Sequence, residues 1–512
     1  LRHLRSRSQV RLAGAVFIIV VVLAAIGTLI GPRWNPPQQA NVIGAIPADT
    51  TIGGHPVGTY GVTATVEQIT PTQGPAFLAT VYRPDTETRQ LPGVVFVHGA
   101  GTSDHRRFAP HATALASAGI VALVPDKPMR EYTLTHRDYG AMARDYRQAV
   151  AYLRGDWQVA SSQVGVYAES EGAYIAPIMT VIDPEIAFIA LVSAPVVTPR
   201  QQAAFATDNY LRNTFVPAPL FHIIPRMLGV EFPYGSFDYA DFPAGEYHRR
   251  VTCPVLMVYG SADPSMPLVQ GPRELGTDLA LAGNDQLTVR YYAGANHGIK
   301  IDQQLVEQFL NDTAAWILGL PATATTSPAI AGAQPVQEYQ AITPPAAPWY
   351  MSGAMIIYTA AAGPVIAIGG AIIAAIIAAI AALRARFRGE NSRGRPSQMQ
   401  RTTVRLTTAA LLAIVAAWVI YLAYLTTVAR LALNYQTSST LVMGGWGVVN
   451  LCAIGAILVL TIALRQLWQA MTSPVRFTFA QVVLIASELS ATTLMCLLGA
   501  YWGLFSPLSL IA

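Results

Sequence analysis

Gly165-Val166-Tyr167-Ala168-Glu169-Ser170-Glu171-Gly172-Ala173-Tyr174 decides the reading of this 512-residue chain. The apolar run Val164–Tyr167 predicts a buried strand, and the small residues after Ser170 predict a helix over Gly172–Met179. A serine on so sharp a strand-to-helix turn has its hydroxyl lifted clear of the sheet, with a helix start beneath it. Upstream stands His98-Gly99-Ala100-Gly101. Downstream come Asp263, just after Val255–Gly260, and then His297 within Gly294-Ala295-Asn296-His297-Gly298. Nucleophile, acid and base in that order make an acyl-transfer set.

Working outward, Thr59–Gln68 and Ala76–Tyr82 alternate as strands, with Pro71-Thr72-Gln73-Gly74-Pro75 as the turn between them. Gly93–Val97, Ile120–Pro125, Ile186–Val192, Val255–Tyr259 and Leu287–Tyr292 are short apolar runs of the kind buried in a parallel sheet. Helical patterns fall between them, at Phe108–Ala118, Tyr139–Arg154 and about Ile301–Leu318. Strands alternating with helices predict an α/β domain over residues 59–320, its mostly parallel sheet covered on both faces. The pattern breaks at about 195–250, where Phe215, Pro217, Pro219, Phe221, Tyr234, Phe237, Tyr239 and Phe242 suggest a small cap insertion; irregular packing or a surface resting on a bilayer would use the same residues.

Ser170, Asp263 and His297 all fall at the C-terminal ends of strands, the edge where α/β sheets place their chemistry. Ser170 needs His297 to take its proton, and His297 needs a carboxylate to hold its tautomer. Asp263 is that carboxylate, with Asp285 as a weaker substitute. The amide of Glu171 is expected to face the developing oxyanion, with a second donor from Ala100 or Gly101. His98, Glu169 and Asp104 are candidates for pocket or supporting roles. Glu169 and Glu171, flanking the serine, either disfavour anionic substrates or face solvent.

The rest of the chain is of another kind. Apolar residues make up 52% of the sequence and charged ones 12%, too few charges for an ordinary soluble protein. Leu12–Ile30 is an apolar run preceded by Arg2, Arg5, Arg7 and Arg11, as in a signal peptide or an anchor; with Gly31-Pro32-Arg33-Trp34 in place of a small-x-small cleavage site, it is read as an uncleaved anchor. Four more runs, at 353–383, 406–429, 441–464 and 477–502, are long enough to cross a bilayer. The stretch 384–405 holds Arg384, Arg386, Arg388, Arg393, Arg395, Arg401 and Arg405, whereas 430–440 has Arg430 alone. Positive charge marks cytoplasmic loops. The N-terminus and 384–405 are therefore expected inside, with the α/β domain outside, on a multi-pass protein of a bacterial cell membrane. Domain by domain, 1–31 is a basic tail and anchor, 32–58 a linker, 321–350 an Ala/Pro/Thr-rich linker and 351–512 a four-helix all-α transmembrane region. Glu488 is the one acid within a span; Arg430, Arg465 or a lipid head group are its candidate partners.

The net charge of +4 follows the membrane segments, so no nucleic-acid partner is expected. Cys253, Cys452 and Cys496 form no metal-ligand pattern, and no cofactor or metal is expected.

Residues 60–320 resemble the α/β-hydrolase superfamily, and within it the dienelactone-hydrolase-like and peptidase-like serine hydrolases. The resemblance rests on His98-Gly99-Ala100-Gly101, Ala168-Glu169-Ser170-Glu171-Gly172, Asp263 and Asn296-His297-Gly298. It departs from the usual motif at Ala168, where glycine is customary. It implies an esterase working through an acyl-Ser170 intermediate, acting on a small ester, an acyl-lipid or an acylated envelope component; the apolar segments make the lipid bilayer its expected partner. A prolyl-type serine peptidase, or a non-catalytic membrane-tethered scaffold on the same fold, are the alternatives.

Overall fold

The computed structural model describes residues 2–40, 43–70, 75–233, 235–388 and 396–506. Residues 71–74 of the expected turn, Tyr234, Arg393 and Arg395 lie outside the described residues. The chain divides into two compact units. One comprises Asn35–Asn209 and Gly235–Thr343; the other comprises Leu1–Trp34, Tyr210–Tyr234 and Pro344–Ala512.

The first unit is built on a nine-stranded sheet. Eight strands are β1 (Val62–Ile69), β2 (Phe77–Pro84), β3 (Leu91–Val97), β4 (Val121–Pro125), β5 (Val159–Glu169), β6 (Ile189–Val192), β7 (Val255–Gly260) and β8 (Leu287–Tyr292). They lie in the order β1-β2-β4-β3-β5-β6-β7-β8, and Ile330–Gly332 adds a ninth strand beside β8. β1 and β2 pair antiparallel, β2 meets β4 antiparallel, and every later pairing is parallel. This is the α/β-hydrolase order.

Alternation along β3 explains the two cores. Val95 and Val97 point to one face with Tyr146, Val150 and Ile178, while Val94 and Phe96 point to the other with Phe108, Leu115 and Trp316. Helices Tyr139–Arg154 and Gly172–Ile182 therefore cover one side, and Ala109–Ser117 and Glu307–Leu318 cover the other. A strand buried on both faces has no polar alternation, which is why these runs read as continuous apolar stretches. Within the stretch that reads as a linker, Ile330–Gly332 is a strand, in register with Val289–Tyr291. The last helix of this unit starts at Glu307, later than its apolar pattern suggests, because Lys300–Ile301 and Gln304–Leu305 form a small antiparallel ribbon.

Among the described residues, the second unit holds five helices long and apolar enough to cross a membrane: Gln9–Leu29, Gly353–Phe387, Gln398–Leu433, Thr440–Met471 and Phe479–Tyr501. They make this a multi-pass membrane protein. Gln398–Leu433 begins well before the apolar run at 406, because Ser397 and Gln400 close a capping box there. Arg401 and Arg405 are therefore helical. Phe479–Tyr501 starts the same way, with Thr478 and Gln481. Glu488 is buried and accepts hydroxyl hydrogen bonds from Thr407 and Thr408, both at 2.6 Å, in place of the arginine or head-group contacts expected from sequence. Thr407 and Thr408 were missed because a hydroxyl pair on a neighbouring helix leaves no charge signal.

Candidate active site

The turn after β5 brings Ser170 to φ 55°, a left-handed conformation that is rare for a residue with a side chain. Its amide donates to Val192 O at 2.8 Å, and its carbonyl accepts from the Ala173 amide at 2.9 Å as the next helix begins. Ala168 lies in β5, fully buried between Val97 and Leu191. The backbone there is extended, so a methyl group is tolerated where the motif usually has glycine. Gly172 has no such latitude: a Cβ would sit 2.7 Å from Val97 O. At Gly99 a Cβ would sit 3.2 Å from that of Ser170, so the His98–Gly101 loop passes directly beside the serine.

His297 lies between β8 and the Glu307–Leu318 helix. Its Nδ1 is 2.8 Å from Asp263 Oδ2, and its carbonyl accepts from Ser193 Oγ at 2.7 Å. Val192, which takes the Ser170 amide, and Ser193, which holds the His297 backbone, are adjacent at the end of β6. One strand end thus carries both residues. Asp263 has a fully buried side chain. Its second oxygen, Oδ1, accepts from the Ser265 amide at 2.9 Å and the Ser265 hydroxyl at 2.6 Å. The Ser265 hydroxyl also lies 3.2 Å from His297 Nδ1. Ser265, His297 and Asp263 therefore meet in one hydrogen-bonded cluster, and a second serine, Ser170, stands on its strained turn at the strand end that also holds His297: the protein carries serine-hydrolase machinery on an α/β-hydrolase-like scaffold. Ser265 escaped the sequence reading; its one available signal was its place two residues after Asp263, on the same turn.

The electrostatics are coupled. Burial works to raise the Asp263 carboxyl, but the His297 charge and the hydrogen bonds from His297 and Ser265 hold it below its ordinary range. Burial works to lower His297, but Asp263, with a lesser pull from Glu169, raises it above its ordinary value. Glu169 itself is pushed up by its enclosure, against His297, Arg107 and Lys300. The Ser170 hydroxyl and His297 Nε2 make no hydrogen bond among the described residues, to each other or to anything else.

Glu171 neither faces solvent nor stands as a free negative charge. It is 5% exposed. Oε2 accepts from Lys127 Nζ and Tyr132 OH, both at 2.9 Å, and Oε1 accepts from Tyr139 OH at 3.1 Å and from Arg137. Burial opposes ionisation, but Lys127 and Arg137 keep the carboxyl below its usual range. Lys127 Nζ also donates to Gly99 O at 2.8 Å. One ammonium therefore ties the residue after Ser170 to the loop beside it. The amides of Ala100, Gly101 and Glu171 have no acceptor among the described residues.

His98 is fully buried, with its Nε2 2.8 Å from Pro125 O and its amide 3.2 Å from the Tyr146 hydroxyl oxygen. Burial lowers it to about 4, so it is neutral at pH 7 and Nε2 is the donor. Asp104 is turned to Arg106, whose hydrogen bonds hold its carboxyl far below the usual range. Asp285 is not among the groups bonded to His297.

No protein-family model matches the chain, and no curated protein matches it. Many solved structures are similar to part of it. A putative dienelactone hydrolase from Klebsiella pneumoniae is 15% identical over 52% of this chain and 100% of that one, with a TM-score of 0.36. An esterase from the archaeon Pyrobaculum calidifontis is 17% identical over 60% and 88%, with a TM-score of 0.38. Dipeptidyl peptidase 4 from Porphyromonas gingivalis is 17% identical over 50% and 35%, with a TM-score of 0.36. The chain is an α/β-hydrolase-like core joined to a C-terminal region of several membrane-length helices.

Proposed function

We propose that the protein hydrolyses a carboxylic ester on the extracytoplasmic face of a bacterial membrane, through an acyl-enzyme on Ser170. The observation that carries this is that the end of β6 holds both the strained Ser170 turn and a histidine whose Nδ1 is already engaged by Asp263. With Nδ1 committed, Nε2 is the nitrogen left to take a proton. Ser265 lies on the wrong side of the ring for that step. Its hydroxyl donates to Asp263 Oδ1, and we assign it to holding the carboxylate that orients His297.

The reaction then runs in two halves. His297 Nε2 removes the Ser170 proton as Oγ attacks the ester carbonyl; the same proton passes to the leaving alcohol. Water, deprotonated by Nε2, attacks the acyl carbonyl, and the proton returns to Ser170 as the acid departs. The uncommitted amides of Glu171 and of Ala100 or Gly101 are the donors we assign to the oxyanion. His98 supports their loop through its bond to Pro125. Asp104 and Glu169 stay candidate pocket groups in this reading. The arginine bias between Arg384 and Arg405 supports the assigned orientation.

Labelling with a fluorophosphonate probe tests this. Wild type and Ser265→Ala should label, and Ser170→Ala should not. Labelling that survives Ser170→Ala and vanishes in Ser265→Ala would transfer the nucleophile to Ser265. Turnover of p-nitrophenyl esters against aminoacyl-proline amides separates the esterase from the peptidase alternative.

A further inference from the structure

We propose that a cavity at the arginine-rich end of the membrane helices binds an anionic phospholipid, its phosphate on Arg401 and Arg405 and an acyl chain against the Gly353–Phe387 helix. The cavity has a volume of about 1030 Å³ and lies between that helix and the beginnings of Gln398–Leu433 and Phe479–Tyr501. Its two halves differ in chemistry. One wall is hydrocarbon, with Ala374, Ile377, Ala378 and Ala381 from the first helix and Leu484 from the last. The rim is polar, with Gln400, Arg401, Arg405, Thr478 and Gln481.

Most of that rim is already engaged. Gln400 accepts from the Ser397 amide and donates to Arg476 O at 2.7 Å, while Thr478 and Gln481 satisfy each other in a capping box. The two guanidinium groups remain. Arg401 and Arg405 stand one turn apart on one helix face, exposed, their guanidinium groups with no ion pair or hydrogen bond among the described residues. Nor does the sequence offer them much to pair with. Residues 351–512 contain Arg384, Arg386, Arg388, Arg393, Arg395, Arg401, Arg405, Arg430, Arg465 and Arg476, against Glu390 and Glu488 alone. Glu488 is buried and engaged by Thr407 and Thr408.

Two adjacent guanidinium forks match the oxygens of a phosphate. An apolar wall at the depth of a bilayer matches a chain. A ligand carrying both groups at that spacing is a phospholipid, and a basic pocket between membrane helices selects the acidic kind. Phosphatidylcholine has the same phosphate but brings a quaternary ammonium towards two arginines, so it should lose to phosphatidylglycerol.

Native mass spectrometry of the full chain, released from nanodiscs of equal phosphatidylglycerol and phosphatidylcholine with identical chains, tests this. Wild type should retain phosphatidylglycerol about tenfold over phosphatidylcholine. The R401Q/R405Q variant should lose the preference, while R384Q/R386Q, whose arginines do not line the cavity, should keep it. Ala378→Trp, which fills the apolar wall and leaves both charges, should lose bound lipid altogether. Equal retention of both lipids by wild type, or an unchanged preference in R401Q/R405Q, would overturn the proposal. So would displacement of the lipid by millimolar inorganic phosphate, which would make the site one for a free anion.

Discussion

The two units bury carboxylates by opposite means. In the hydrolase unit, Asp263 faces His297 and Ser265, and Glu171 is enclosed by Lys127, Arg137, Tyr132 and Tyr139. In the membrane unit, the Glu488 carboxylate meets, among the described residues, the hydroxyls of Thr407 and Thr408 alone. Charged partners fix position and protonation state tightly, but leave an uncompensated ion behind if one of them is removed. A hydroxyl that is removed takes no charge with it. A site that must keep a proton in one place suits the first device, and a bundle that needs only packed helices can use the second.

Four measurements press on that contrast. The largest effect belongs to Asp263→Asn. It leaves the shape of the cluster intact but allows the wrong imidazole tautomer, and should lower kcat for ester hydrolysis by about 10^4-fold with the fold retained. A loss under tenfold would show that the carboxylate does not orient the base. Next is Lys127→Met. It strands Glu171 beside a single cation, and thermal unfolding of the purified protein should register a loss of about 3–5 kcal/mol. It also frees Gly99 O, so kcat should fall more than KM rises. Glu488→Gln should cost about 1 kcal/mol or less, since the amide still offers hydrogen bonds to both threonines; a loss as large as that of Lys127→Met would abolish the distinction between the units. The smallest effect is in the pH profile. Asp263 raises His297 above the 6.5 of a free imidazole despite burial. The base must be neutral to accept a proton, so kcat/KM should climb as pH rises through a midpoint above that value. A midpoint below 6.5 would mean that burial dominates.

Much of the hydrolase unit was legible because its signals are local. Val164–Tyr167, Ser170 and Gly172 announce a strand, a turn and a helix within nine residues, and the apolar runs of β3, β4, β7 and β8 mark a sheet buried on both faces. Asp263 and His297 could be read from their place after strands, and they do meet. The enclosure of Glu171 could not. Three of its partners, Lys127, Tyr132 and Arg137, come from the irregular segment 127–137, which has no periodicity to locate it in space. Gln270–Leu281 also went unread, since its pattern is broken by Pro272 and Gly276. The membrane helices were read in number but not in extent. Apolar composition marks where lipid begins, whereas capping by Ser397 marks where the helix begins, and Arg401 and Arg405 fall between the two.

The elbow also governs how this sequence can drift. Position 172 abuts the Val97 carbonyl so closely that any side chain there must push β3 and the helix apart. Position 168, though equally hidden, already carries a methyl group. Over generations of substitution, the two small residues around the serine should therefore part company, the earlier one exchanging among compact side chains and the later one staying glycine for as long as the enzyme is under selection.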